Sequence, residues 1–199
     1  MSHFFAMIFR MRNIRRWGLM RSVQPENLAE HALLTALLAQ GLAVIRRDVF
    51  GGDAEPDRVA ARALLHDACE IVTGDMPTPV KYHNPELREA YARVEEHALG
   101  RLLGLLPAAM RGSYREVMDT RALPPGDAEL IHAADKIAAH IKCVEELSAG
   151  NREFSAAHSQ TLKKLRGMKL READYFIEHF LPAFDMTLDE AVAGDLLKP

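Results

Sequence analysis

"RVAARALLHDACEIV", residues 58–72, carries apolar side chains at helical spacing: Val59, Ala63, Leu64 and Ile71 mark one side, with His66, Asp67 and Glu70 interleaved among them. A soluble helix normally gives such inward positions to Leu, Ile and Ala. In one continuous helix, Glu70 stands one turn beyond both His66 and Asp67, so the three look into a common space. The continuation "TGDMPTP", residues 73–79, adds Asp75 behind a turn glycine.

The same helical period runs along nearly the whole chain, without the sustained alternation of a half-buried strand, so the expected fold is all-α. Capping-box spacing at Asn27 with Glu30 and at Thr187 with Glu190, and the Asn84–Pro85 pair, mark helix starts. Gly51 and Gly52, Pro107 and Gly150 mark ends. Helices are expected near 2–15, 28–47, 56–72, 85–106, 108–119, 127–149, 153–181 and 187–193. The Pro-rich "RALPPGD" reads as an interhelical turn, and 199 residues suit one domain over 1–199 with a sizeable core.

Composition removes several classes of function. A net charge of −3 lacks the basic balance of a protein that coats a nucleic-acid polymer. Cys69 and Cys143 are the only cysteines and have no CxxC spacing, which argues against a disulfide framework or a thiolate zinc site and fits a reducing cytoplasm. The longest uncharged apolar stretch, "HALLTALLAQGLAVI", is shorter than the roughly 20 residues a bilayer span requires. Arg10 and Arg12 come too early for a signal peptide, so no membrane partner is expected.

Two further helices bring ionisable groups inward. In "ELIHAADKIAAHIKC", Ile131, Ala134, Ala138 and Ile141 form a stripe with Asp135 between its members, and His31 follows the Asn27 cap beside Leu34 and Leu38 on the expected core face. Taken singly, each reads as a satisfied core histidine or ion pair. Together they pose a problem, because an unpaired buried carboxylate costs several kcal/mol. Imidazoles and carboxylates facing one another form a mixed nitrogen and oxygen set that suits a divalent transition metal.

"EH" at 30–31, "HD" at 66–67 and "ADK" around Asp135 resemble the His…His-Asp…Asp pattern of the HD-domain phosphohydrolases. "HDACEIVTGDMPTPVKY", "RRW" at 15–17, "CVEELSAGNREF" at 143–154 and "FLPAFDMTLDE" extend the likeness over nearly the whole chain, to the bacterial 5′-deoxynucleotidases of that superfamily. The resemblance implies an HD-domain helical bundle that forms a homodimer and hydrolyses deoxyribonucleoside 5′-monophosphates to deoxyribonucleosides and phosphate. It implies His31, His66, Asp67 and Asp135 as ligands of one divalent ion, cobalt, manganese or another transition metal. Gly18 departs from the family, whose members carry proline after the tryptophan.

Phosphate monoesters need accelerations of up to roughly 10²¹-fold, against about 10² to 10⁴ from one acid or base, so a metal is the expected source of the nucleophile. Glu70, outside the ligand set, is the candidate to take the water's proton, a role the resemblance also gives it. Asp75 is the candidate to position or protonate the leaving oxygen, or else a turn aspartate that caps backbone amides. Arg16 has the planar fork suited to phosphate, within a basic cluster of Arg10, Arg12, Arg15 and Arg21 in which Arg10 and Arg12 read as a solvated face. Trp17, the only tryptophan, is the candidate wall against a 2′-hydroxyl, and the resemblance makes Asp75, Met76, Pro77 and Thr78 the nucleoside-binding turn, with Asp67 also at the substrate. His132 reads as a polar-face residue. The absence of a Cys-x5-Arg loop, a Gly-rich phosphate loop and HExxH leaves two competing readings: an HD enzyme acting on deoxynucleoside triphosphates or a cyclic dinucleotide, and a noncatalytic nucleotide sensor.

Overall fold

In the computed structural model Asn27 accepts from the backbone N–H groups of Ala29 and Glu30, and Glu30 accepts from the Asn27 N–H, the capping box that the spacing predicts. The structure describes residues 1–81 and 83–192. Tyr82, which ends the "HDACEIVTGDMPTPVKY" motif, and 193–199, with the last residue of the helix expected over 187–193, lie outside them. The described residues contain eleven α-helices and no strand; one isolated antiparallel bridge pairs Arg15 with Asn27.

The helices are α1 (Phe4–Ile8), α2 (Leu28–Val44), α3 (Pro56–Leu64), α4 (Glu70–Thr73), α5 (Thr78–Lys81), α6 (Pro85–Gly104), α7 (Arg111–Met118), α8 (Pro125–Ser148), α9 (Ser155–Gly167), α10 (Arg171–His179) and α11 (Leu188–Val192). α2 packs against both α3 and α8. Their shared core holds Leu42, Val59, Leu130 and Ile137, and α9 and α10 close it with Leu165 and Ala173. A second cluster gathers Phe4 with Leu99, Leu102, Leu103 and Met118, and a third joins Met11 to Leu28 and Ala32. Phe4 and Met11, near the N-terminus, therefore serve the core. The buried Arg62 of α3 pairs with Asp127 at the start of α8, which ties the helix leading into the His66–Asp67 turn to the helix that carries Asp135.

Two expected helices are interrupted. The one over 56–72 stops at Leu64, and Leu65–Cys69 winds more tightly: the Leu65 and Ala68 N–H groups donate three residues back, to Arg62 and Leu65. His66 Nδ1 lies 2.7 Å from the Ala63 carbonyl, a side-chain bond that competes with the helix ladder. The helix expected over 153–181 breaks at Met168–Leu170, where Lys169 adopts φ 53, between α9 and α10. Leu34 and Leu64 are exposed, at 48% and 44%, where the periodicity predicts core.

Leu28–Val49 is long and apolar enough by length and composition to cross a membrane, longer than the uncharged stretch because the helix continues through a π-turn at Ile45–Val49 that carries Arg46, Arg47 and Asp48. Half of it is buried against its neighbours, the position of a core helix.

Candidate active site

His31 sits in the first turn of α2 and is fully buried. Its Nε2 lies 3.2 Å from Asp135 Oδ1 of α8 and 3.8 Å from Asp67 Oδ2 of the tight turn. His66 Nε2 lies 3.0 Å from the same Asp67 oxygen. One ligand atom from each of His31, His66, Asp67 and Asp135 falls within 4.8 Å of all the others. Three separated segments thus converge on one point, as the sequence leads one to expect.

The donors suit a divalent ion. His66 Nδ1 faces the Ala63 carbonyl, so it carries the proton and leaves Nε2 toward the cluster, where it is buried beside Asp67 with no hydrogen bond of standard geometry. Two imidazole nitrogens with two carboxylates form the mixed set a transition metal accepts. Charge balance supports the same conclusion. Burial opposes the imidazolium, yet Asp67 outweighs it and pushes His66 up to about 9. Burial alone raises the carboxylates, but His66 holds Asp67 down to about 2, and His31 and Lys136 hold Asp135 well below the usual range. The cluster demands positive charge.

Around it lies a cavity of about 820 Å³, lined by Arg16, Trp17, Glu70, Asp75, Met76, Pro77 and Thr78 together with His66, Asp67 and Asp135. Every candidate site residue except the deeply buried His31 therefore reaches it. Gly74, at φ 74, ends α4 and turns the chain so that Asp75 faces Arg16. Arg16 Nη1 lies 3.7 Å from Asp67 Oδ2 and 3.9 Å from Asp75 Oδ1. Through Arg16, Asp75 ties the turn to the "RRW" loop; burial raises its carboxyl despite that guanidinium. Glu70 Oε2 is buried without a partner, and burial, then Asp67 and Asp75, pushes the carboxyl up to about 9.

The rest of the basic cluster stays out. Arg10, Arg12 and Arg15 are exposed away from the cavity, and Arg21 pairs with Glu153 at 2.8 Å. Trp17 adopts φ 57, a left-handed conformation rare for a bulky side chain, with its Nε1–H donating to Glu26 Oε2 at 2.7 Å and its ring 5.3 Å from Phe154. Gly18, by contrast, keeps an ordinary φ, and a side chain there would meet open space, so the structure does not require glycine. Cys69 borders the cavity, but burial pushes its thiol up to about 11, which fits packing and not nucleophilic use.

Three residues escaped the sequence reading. Lys136 Nζ donates to Asp135 Oδ2 at 2.7 Å and lines the cavity; it is visible in "ADK" as the cation beside an inward carboxylate. Lys81, paired with Glu95 at 2.8 Å, lines the wall beyond Glu70. Glu26 contacts both His31 and the "RRW" loop, and nothing in its local sequence marks it.

A family model described as 5′-deoxynucleotidase, YfbR-like, matches residues 3–184. The chain is 44% identical over 189 residues to a 5′-deoxynucleotidase of Vibrio cholerae, covering 95% of this chain and 97% of that protein. It is likewise 44% identical over 190 residues to one of Photorhabdus laumondii, covering 96% of each. Among solved structures, an HD-domain phosphohydrolase from Listeria innocua aligns with a TM-score of 0.78 at 24% identity, over 92% of this chain and 88% of that one. The cyanophage S-2L HD phosphohydrolase, solved with dA and one catalytic Zn²⁺ ion, aligns at 0.69 and 23%, over 92% and 96%. These two share the fold.

Proposed function

The chain belongs to the YfbR-like 5′-deoxynucleotidase family of HD-domain phosphohydrolases, and on that premise we propose that it removes phosphate from deoxyribonucleoside 5′-monophosphates with selectivity against ribonucleotides. The observation that carries this reading is the convergence of His31, His66, Asp67 and Asp135 beside Arg16 and Trp17 in one cavity.

A divalent ion held by those four side chains supplies Lewis acidity at the phosphoryl group and lowers the pKa of water toward about 7. The chain's own residues do the rest. Arg16 presents its planar fork to the phosphate, and Asp67 and Asp75 aim it. Glu70 takes the proton of the attacking water, and Asp75 positions the leaving 5′ oxygen. Trp17, held by Glu26 and Phe154, is a rigid wall against the sugar. Hydrophobicity alone rejects an added hydroxyl by only about a hundredfold, so stronger selectivity requires steric exclusion by that wall. Met76, Pro77 and Thr78 flank the nucleoside, where backbone groups read features shared by several bases, and base preference is weak.

We further propose a homodimer in a reducing cytoplasm. Leu33, Leu34, Leu37 and Val44 form an exposed apolar stripe along α2, which supports burial against a second copy, and the two free thiols support the compartment. Manganese, cobalt and zinc all suit the donor set.

The decisive experiment measures phosphate release from the deoxy- and ribonucleoside monophosphates with metal-replete protein, before and after chelation. Release from deoxy substrates alone, abolished by chelation, is expected. Equal rates on both sugars overturn the selectivity, persistence after chelation overturns the metal, and inorganic triphosphate from a triphosphate substrate moves the substrate class.

A further inference from the structure

Glu26 precedes the α2 cap, and three functional side chains meet on its carboxylate. Its Oε1 lies 3.3 Å from His31 Nδ1 and 3.8 Å from Arg16 Nε, while Oε2 accepts from Trp17 Nε1–H at 2.7 Å. Its backbone carbonyl accepts from the Arg16 N–H at 3.0 Å, and the Arg15–Asn27 bridge pins the loop beside it. The Glu26 side chain is only 10% exposed. His31 Nδ1 and Arg16 Nε are buried donors with no hydrogen-bond partner of standard geometry, and Glu26 Oε1 is the acceptor both face.

This arrangement has a direct chemical consequence. His31 Nε2 points at Asp135 and Asp67, so a ligating Nε2 leaves the ring proton on Nδ1, against Glu26. A carboxylate behind a ligating imidazole fixes its tautomer and orientation and raises its basicity. The same carboxylate holds the indole of a residue whose left-handed backbone must be imposed from outside.

We propose that Glu26 is the positioning residue that couples the metal centre to the substrate loop, fixing the ligating form of His31 while holding Arg16 and Trp17 at the cavity. The proposal rests on the reading of His31 as a metal ligand. A glutamine cannot replace it: its amide oxygen can still receive the indole N–H, but its NH₂ then faces two further donors.

Trp17 is the only tryptophan, so its emission reports the loop alone. Zinc is titrated into the metal-free full-length chain by calorimetry while Trp17 emission is followed, for wild type and Glu26→Gln. In wild type the emission change and the heat share one midpoint. In Glu26→Gln zinc binds roughly 10- to 100-fold more weakly and the emission change is lost, with KM for deoxynucleoside monophosphates raised. Equal zinc affinity in the two proteins, with the emission change kept, overturns the coupling, whereas a wild type that binds no zinc overturns the metal reading beneath it. Should Glu26→Gln fail to fold, nitrogen NMR of zinc-loaded wild type decides: an exchange-protected His31 Nδ1–H supports the proposal, and zinc on Nδ1 or a freely exchanging Nδ1–H overturns it.

Discussion

Arg16 Nη1 lies 3.7 Å from Asp67 Oδ2, the oxygen that also faces His31 Nε2 at 3.8 Å and His66 Nε2 at 3.0 Å. The phosphate side and the metal side of the cavity therefore share one carboxylate. Arg16→Lys keeps the charge but loses the planar fork, and kcat/KM should fall about 100-fold, or about 2.7 kcal/mol, with metal affinity nearly unchanged. Steady-state kinetics and metal titration together check this, and a variant within threefold of wild type removes Arg16 from phosphate binding.

Asp135 closes the ligand set from α8, with Oδ1 3.2 Å from His31 and Oδ2 accepting from Lys136. In Asp135→Ala, His31 stays buried in an incomplete shell and Lys136 loses its partner. Metal affinity should fall at least ~100-fold, and the rise in melting temperature that metal gives wild type should disappear with it. Calorimetry showing unchanged affinity would exclude Asp135 as a ligand.

The inward charges were legible because helical period places His66, Asp67 and Asp135 among apolar neighbours, and buried charge without a partner is too costly to leave unexplained. Local pattern carried less about what continues. No glycine or proline announces the tight turn at Leu65–Cys69, since a side-chain bond from His66 to Ala63 takes part in shaping it. Leu34 and Leu64 share the apolar character of core positions but lie on outer faces, a distinction that depends on which helices pack against α2 and α3. Glu26 acts through contacts with His31, Arg16 and Trp17, and only the folded loop brings the tryptophan and the histidine to one carboxylate.

Glu146 anchors that loop from α8. It accepts from the backbone N–H groups of Val23 at 2.8 Å and Gln24 at 3.1 Å, from Asn151 at 2.7 Å and from Lys142 at 2.5 Å. Burial alone would raise its carboxyl, but these donors, Lys142 foremost, lower it from the ordinary 4.5 to about 2. The unfolded chain then takes up the proton at higher pH than the folded one. Stability from this group is complete above about pH 4.5 and is lost as pH falls toward 2. Glu146→Gln should cost about 3 kcal/mol near neutral pH, since it leaves Lys142 buried without its counter-charge, and should flatten the acid limb of the stability curve. Denaturant unfolding across a pH series checks it; parallel curves for the two proteins overturn the assignment.

Glu70 gives the opposite slope. Burial, then Asp67 and Asp75, raises its carboxyl from 4.5 to about 9, so the metal-free fold keeps it protonated near neutral pH. Here the folded state binds the proton more tightly, and its contribution is complete below about pH 4.5 and lost as pH rises through 9. Glutamine matches the protonated carboxyl in shape and has no proton to lose. Metal-free Glu70→Gln should therefore equal wild type in stability at about pH 4 and exceed it at pH 8. Turnover of the metal-loaded variant should nevertheless fall about 10²- to 10⁴-fold, because the amide cannot take a proton from water. A stable variant that turns over slowly separates chemistry from folding. Full turnover would remove Glu70 from proton handling, and lower stability than wild type at pH 8 would show that the carboxyl is not held neutral in the fold.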